Sequence, residues 1–199
     1  MKIFKMLLLL QLTLSYGACY SQKTKMSKEV EEIIMLGKDS IVQLALALID
    51  KKIDPQNFSS IKIMSNEEQV YVSFMNPIKY LPIKSAFYFD LGVAILEQTI
   101  TYSPVFNGVD ETQAQIPFYI PTKEAEKNIQ FVIEAINKSN EIDAFDPSSF
   151  DDDMIIREHE NYYAIHVISE TTESSYKIEK TSGNIYDMAH AHLAPPPFD

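Results

Sequence analysis

The sequence predicts an α+β protein built as a tandem repeat, each copy a helix followed by three or four antiparallel strands. Three observations carry that expectation. Asp54-Pro55-Gln56-Asn57-Phe58 recurs as Asp146-Pro147-Ser148-Ser149-Phe150. Each occurrence follows a stretch with helical spacing, in which Ile41 and Leu44 match Ile133 and Ile136. Each also precedes short segments that alternate apolar and polar residues, the period of half-buried strands. The expected order is a leader at 1–18, a first copy at 27–100, a connector at 101–121, a second copy at 122–190 and a Pro-rich tail at 191–199.

The leader begins with Lys2 and Lys5, continues through an apolar run from Met6 to Leu14, and exits at Gly17-Ala18. A basic end, a short apolar stretch and small exit residues are the parts of a secretory signal, and the run is too short to span a bilayer. Cys19, the one cysteine of the chain, follows directly. The arrangement resembles the lipobox of bacterial lipoproteins, although Tyr16 stands where that pattern has leucine. The resemblance implies lipid attachment at Cys19. The alternative is a cut after Ser21 and simple secretion. In both cases the folded part lacks cysteine, which excludes disulfides, thiol nucleophiles and cysteine-ligated zinc there.

The first helix is expected from Ser27 to about Lys51. Val30, Ile33, Ile34, Ile41, Leu44, Ala45 and Leu48 follow the spacing of one buried face. Ser27 is the expected N-cap, Glu29, Glu31 and Glu32 suit the positive end of the dipole, and Gly37 interrupts the run. Strands follow at Ile61–Ile63 and Val70–Phe74, with Val70, Val72 and Phe74 on one side and Tyr71 and Ser73 on the other. A long strand bent at Gly92 is expected over Ala86–Leu96. Pro104, Asn107-Gly108, Pro117 and Pro121 argue for an extended connector. The second helix starts at Thr122, after Pro121, and runs to about Ser139, with Ala125, Ile129, Val132, Ile133 and Ile136 as its stripe. Strands are then expected at Met154–Ile156, Tyr162–Ile168 and Tyr176–Ile178. Gly183, in Ser182-Gly183-Asn184, supplies positive φ where the last of them ends.

The segments Tyr162–Val167, Ser175–Lys180 and Ser182–Tyr186 together resemble the end of a PepSY domain. The resemblance covers 122–186. Cystatin-like folds share the same plan of a helix wrapped by an antiparallel sheet. The resemblance implies an exported binding or inhibitory module and supplies no catalytic residues.

Composition narrows the function further. Seventeen Lys+Arg against 28 Asp+Glu give a net charge of −11, and Arg157 is the only arginine. A nucleic-acid partner is therefore not expected, and a membrane would be reached only through the N-terminal lipid. There is no Gly-x-Ser-x-Gly elbow, and the five glycines are isolated, so no phosphate loop is present. His190-Ala191-His192, with Asp187 nearby, is a metal candidate that would need His166 or His159 from another strand. Asp151-Asp152-Asp153 lacks the glycine and staggered oxygens of a calcium loop and reads as a solvated turn. No cofactor is expected.

The aromatics point to binding. Eleven Tyr and eleven Phe occur without any Trp. Tyr71, Tyr162 and Tyr176 are expected on a sheet face, giving contact area at low entropy cost, with Glu67, Glu68, Glu158 and Glu160 as a negative rim. The leading expectation is an exported, non-catalytic binding or inhibitory module, periplasmic or on the outer membrane, with a basic protein or peptide as ligand. The alternatives are an immunity-type protein that neutralises a basic toxin and a small hydrolase with a site between the two copies.

Overall fold

The computed structural model describes residues 25–49, 53–112, 115–139, 153–169 and 172–193. The leader, Cys19, the second Asp-Pro-x-x-Phe motif, Asp151, Asp152 and the three consecutive prolines of the tail lie outside these residues. Helices α1 (Lys28–Met35) and α2 (Lys38–Leu48) open the described chain, followed by a short 3-10 turn at Pro55–Asn57. Strands β1 (Ser60–Ser65), β2 (Val70–Met75), β3 (Ile78–Leu81), β4 (Ser85–Ala94) and β5 (Thr99–Asn107) come next. Helix α3 (Lys123–Lys138) then leads to β6 (Asp153–Glu158), β7 (Tyr162–Ile168), β8 (Thr172–Glu179) and β9 (Ile185–His192).

The chain is thus α+β, with two sheets that are mostly antiparallel. The first sheet has the order β1-β2-β4-β5 and the second β3-β6-β7-β8-β9. Each half contains helix and then a four-stranded antiparallel meander, interrupted in the first half by β3, which leaves its neighbours and pairs in parallel with β6. No helix among the described residues is long and apolar enough to cross a membrane.

Each sheet has its own core. On β2, Val70, Val72 and Phe74 are fully buried while Tyr71 is exposed, the alternation expected of that strand. They pack with Leu91 and Val93 of β4 against Val30, Ile41 and Ala45 of α1 and α2. In the second half, Val132 and Ile136 of α3 meet Met154, Ile156, Ile165, Tyr176 and Ile178. Both expected N-caps are in place. Ser27 Oγ accepts from Val30 N at 3.2 Å, and Thr122 Oγ1 accepts from Ala125 N at 3.1 Å.

Several expectations are corrected. The first helix is two, because Gly37 takes φ +80°, a conformation outside the helical basin. Leu44 and Ile34 are exposed rather than buried. The connector begins later than expected, since β5 occupies Thr99–Asn107 as an edge strand, where Pro104 is tolerated because the strand's outer side has no ladder to serve. The irregularity in β4 lies between Tyr88 and Asp90, not at Gly92, which pairs regularly with Ser73 and Thr101. Asn76 stabilises that bulge, donating from Nδ2 to Phe89 O at 3.3 Å and from its backbone N–H to Asp90 Oδ1 at 3.0 Å. The strand that ends before Gly183 is not the last, since Gly183 turns the chain with φ +74° into β9.

Candidate functional site

The three tyrosines expected on one face are not brought together. Tyr71 is exposed on β2 of the first sheet, paired with Met64 and Ala94. Tyr162 is half-buried on β7 of the second sheet. Tyr176 is corrected outright: it is 2% exposed and packs in the second core. Its place follows from register, since it sits opposite Ile165 and two residues from Ile178, all on the side that α3 covers. The Tyr176 hydroxyl has no hydrogen-bond partner among the described residues, and burial pushes its pKa well above the usual phenol range. An unpaired buried hydroxyl costs about 1–3 kcal/mol. Tyr176→Phe is therefore expected to raise Tm by roughly 2–4 °C or more, measured by thermal circular dichroism. A fall in Tm would mean that the hydroxyl is satisfied.

His190 and His192 lie on β9, the exposed outer strand of the second sheet. His190 Nδ1 is 2.9 Å from Ser174 Oγ, and no group of three metal-ligating side chains occurs among the described residues. His166 instead faces Glu173 at 3.4 Å. Asp153 is not a free turn carboxylate. Its Oδ2 lies 2.7 Å from Lys79 Nζ, and the same ammonium reaches Asp90 Oδ2 of the first sheet at 2.9 Å.

The side of the second sheet opposite α3 carries Tyr162, Ala164, His166 and Ile168 of β7, alternating with the buried Tyr163 and Ile165. At the end where β6 turns into β7, the Tyr162 ring stacks on His159, with centroids 4.5 Å apart and planes at 15°. Lys177 Nζ lies 5.3 Å from the Tyr162 centroid and 5.9 Å from that of the exposed Tyr186. Asp187 holds this ammonium at 2.7 Å. The result is a pair of aromatic rings locked by a cation between them, which is contact area already ordered before any partner arrives.

Glu158 does not belong to a rim around Tyr162. It is opposite Tyr163 in the ladder and so points to the α3 side. Its Oε2 accepts from the Tyr80 hydroxyl at 2.5 Å and its Oε1 from Lys180 Nζ at 2.6 Å, while Asn128 Nδ2 of α3 donates to the Tyr80 oxygen at 2.8 Å. Burial pulls the Glu158 carboxyl upward, but the bonds from Lys180 and Tyr80 outweigh it and hold the group below the usual range. Burial and the Glu158 bond push the Tyr80 phenol up.

Beside this carboxylate is a pocket of about 180 Å³ between β3, β4 and the first turn of α3. Tyr80, Phe87 and Tyr119 form aromatic walls, and Glu124 and Glu158 are its acidic groups. Tyr119 is placed by a local pairing in which Tyr88 N donates to Pro117 O at 2.9 Å and Tyr119 N to Tyr88 O at 3.0 Å. Its ring stacks on Phe89 at 4.6 Å and meets Phe87 edge-on at 5.4 Å. The Tyr119 hydroxyl has no partner among the described residues, and burial, with Glu126 adding to it, pushes its pKa up to about 12. A larger groove of about 390 Å³ lies under the other end of α3, but its polar side chains include the exposed Glu134, Lys138 and Ser182 and do not converge.

This pocket escaped sequence reasoning because β3 did. Ile78-Lys79-Tyr80-Leu81 is four residues long and carries a lysine that the ion pairs bury. The one available signal was the run of bulky residues from Ile78 to Leu81, too short to fix a strand. Comparison with known proteins finds no matching family model, no matching curated protein and no matching solved structure.

Proposed function

We propose that the chain is an exported, non-catalytic binding or inhibitory module of the cell envelope, anchored through Cys19, with a basic protein or peptide as its partner. The observation that carries this reading is the ordered aromatic pair Tyr162 and Tyr186, fixed by Lys177 at the turn end of the second sheet. Its partner class follows from charge: 28 acids against 17 Lys+Arg repel acidic partners and steer basic ones toward the surface. The export step rests on the leader and its small exit residues. In this reading the two halves are copies of one PepSY-like unit, each a helix region followed by a meander, and β3 is an insertion that ties the first copy to the second.

The test uses a decalysine peptide as the basic probe and a decaserine peptide as the neutral one, in low salt, with binding followed by fluorescence anisotropy. Decalysine is expected to bind and to weaken as salt rises. Tyr162→Ala with Tyr186→Ala is expected to lower its affinity about tenfold or more, a loss of ~1.4 kcal/mol, with an unchanged circular dichroism spectrum. Equal affinity for the two peptides, or no change in the double variant, overturns the reading.

A further inference from the structure

We propose that the pocket formed by Tyr80, Phe87, Tyr119, Ile120, Glu124 and Glu158 is an anchor site for one arginine side chain of the basic partner. The inference rests on the binding reading above and assigns the contact that selects the partner.

Size comes first. At about 180 Å³ the pocket is smaller than the ~300–1,000 Å³ of typical small-molecule sites. It suits a single side chain. The walls come second. Three aromatic residues line it, Tyr119 already stacked on Phe89 and edge-on to Phe87. Aromatic faces attract cations, and a planar, lightly hydrated guanidinium stacks on them better than an ammonium does.

Charge is the third point. Both ionisable acids of the lining are glutamates and none of the lining residues is a cation. The first turn of α3 also borders the pocket, and a helix N-terminus carries roughly half a positive charge. Against that stand Glu124, Glu158 with its Lys180 counter-ion, and Glu126, whose charge also reaches Tyr119, so the balance is negative and a cation is favoured over an anion. Lys180 neutralises part of Glu158 through its Oε1, which leaves the exposed Glu124 as the less committed carboxylate.

The fourth point is the donor set of the guest. Tyr119 is 7% exposed and lines the pocket, with its own hydroxyl buried and without a partner among the described residues. A guanidinium brings five N–H donors, enough to serve Glu124 and Glu158 together while its plane lies against the rings. At the mouth, Ile120 is 64% exposed and Ile83, next to the lining residue Pro82, is 55% exposed. They give apolar area for the backbone that would present the arginine, the anatomy of an anchored contact.

The experiment titrates the full chain with N-acetyl-arginine amide and, separately, with N-acetyl-citrulline amide, which keeps the shape and removes the charge. Binding is read from amide chemical shifts. Arginine amide is expected to shift Tyr80, Phe87, Tyr119 and Ile120, and citrulline amide to bind about tenfold more weakly. Glu124→Gln, at an exposed position that leaves the fold intact, is expected to weaken arginine amide several-fold. Absence of shifts at the pocket, equal binding of the two amides, or no effect of Glu124→Gln overturns the proposal. If these results appear while decalysine still binds in a Tyr162-dependent way, the anchor site falls and the binding module stands. Arginine amide that shifts the pocket while decalysine fails to bind reverses that outcome.

Discussion

Replacing Lys79 with methionine is expected to destabilise the protein by about 3–5 kcal/mol, the cost of removing one partner from a buried ion pair. The Lys79 side chain is 5% exposed and its ammonium lies 2.9 Å from Asp90 and 2.7 Å from Asp153. Asp90 belongs to the first sheet and Asp153 to the second, so one cation holds carboxylates from both. Methionine fills similar space but leaves the largely buried Asp90, with a side chain 16% exposed, facing Asp153 with no cation between them. Burial lowers the Lys79 pKa, and Asp90 and Asp153 more than offset it, so the net shift is upward from 10.5. A cation whose folded pKa is raised contributes stability that is complete below the unfolded pKa and is lost as pH rises through the folded one. Burial pushes the Asp90 pKa up from its ordinary value against the pull of Lys79. That is why the pair needs its lysine: alone, this carboxylate is in a poor place for a charge. Urea unfolding should show the full gap between the parent chain and Lys79→Met at neutral pH, and a narrower gap above pH 10.5. Adding Asp90→Asn to Lys79→Met should restore part of the loss. A single-variant loss below about 1 kcal/mol, the scale of an exposed pair, would show that the cluster does not join the sheets.

The parts of the fold legible in the sequence are those decided by local chemistry. Ser27 and Thr122 read as caps because a hydroxyl before a periodic apolar run has a backbone N–H to serve, and both do so. β2 and β7 were visible in their alternation. The misses are places where tertiary structure overrides local signal. β3 is buried by a partner strand from the other half, at a separation no periodicity window spans, and its Lys79 reads as a surface residue until Asp90 and Asp153 are in place. β9 is nearly all exposed and so carries no burial pattern to find.

The site was legible in kind but not in position. Aromatic residues with acidic neighbours were visible, and both occur at the turn end of the second sheet. Which tyrosine faces which way depends on register, because one residue's shift exchanges the two faces of a strand. Tyr162 and Tyr176 both lie on strands, yet Tyr162 is opposite Glu179 on the open side and Tyr176 opposite Ile165 under α3. In the sequence Glu158 reads as a rim charge for Tyr162, and the same alternation turns it toward Tyr80 instead. The pocket itself draws on β3, β4, the segment before α3 and β6, an assembly that no linear motif encodes.

Phe89→Ala is the second change expected to cost about 3–5 kcal/mol, the range for emptying a buried phenylalanine site. Phe89 is fully buried in the second core, although its strand belongs to the first sheet. The bulge makes this possible. It turns Phe89 toward Tyr119 and Tyr80, while Leu91, two residues on, enters the first core. One strand thus feeds both cores, and losing Phe89 should weaken both together. Urea unfolding followed by tyrosine fluorescence and by far-ultraviolet circular dichroism should give one coincident transition, shifted to lower urea in the variant. Phe89→Leu, which keeps most of the volume, should lose less. Two separated transitions, or a cost below about 1 kcal/mol, would mean that the halves are held independently and that β4 is not their shared beam. The same change should reach the pocket. Without the ring at 4.6 Å the Tyr119 wall loses the surface it stacks on, so arginine amide should bind the still-folded variant more weakly while decalysine binding at Tyr162 is retained.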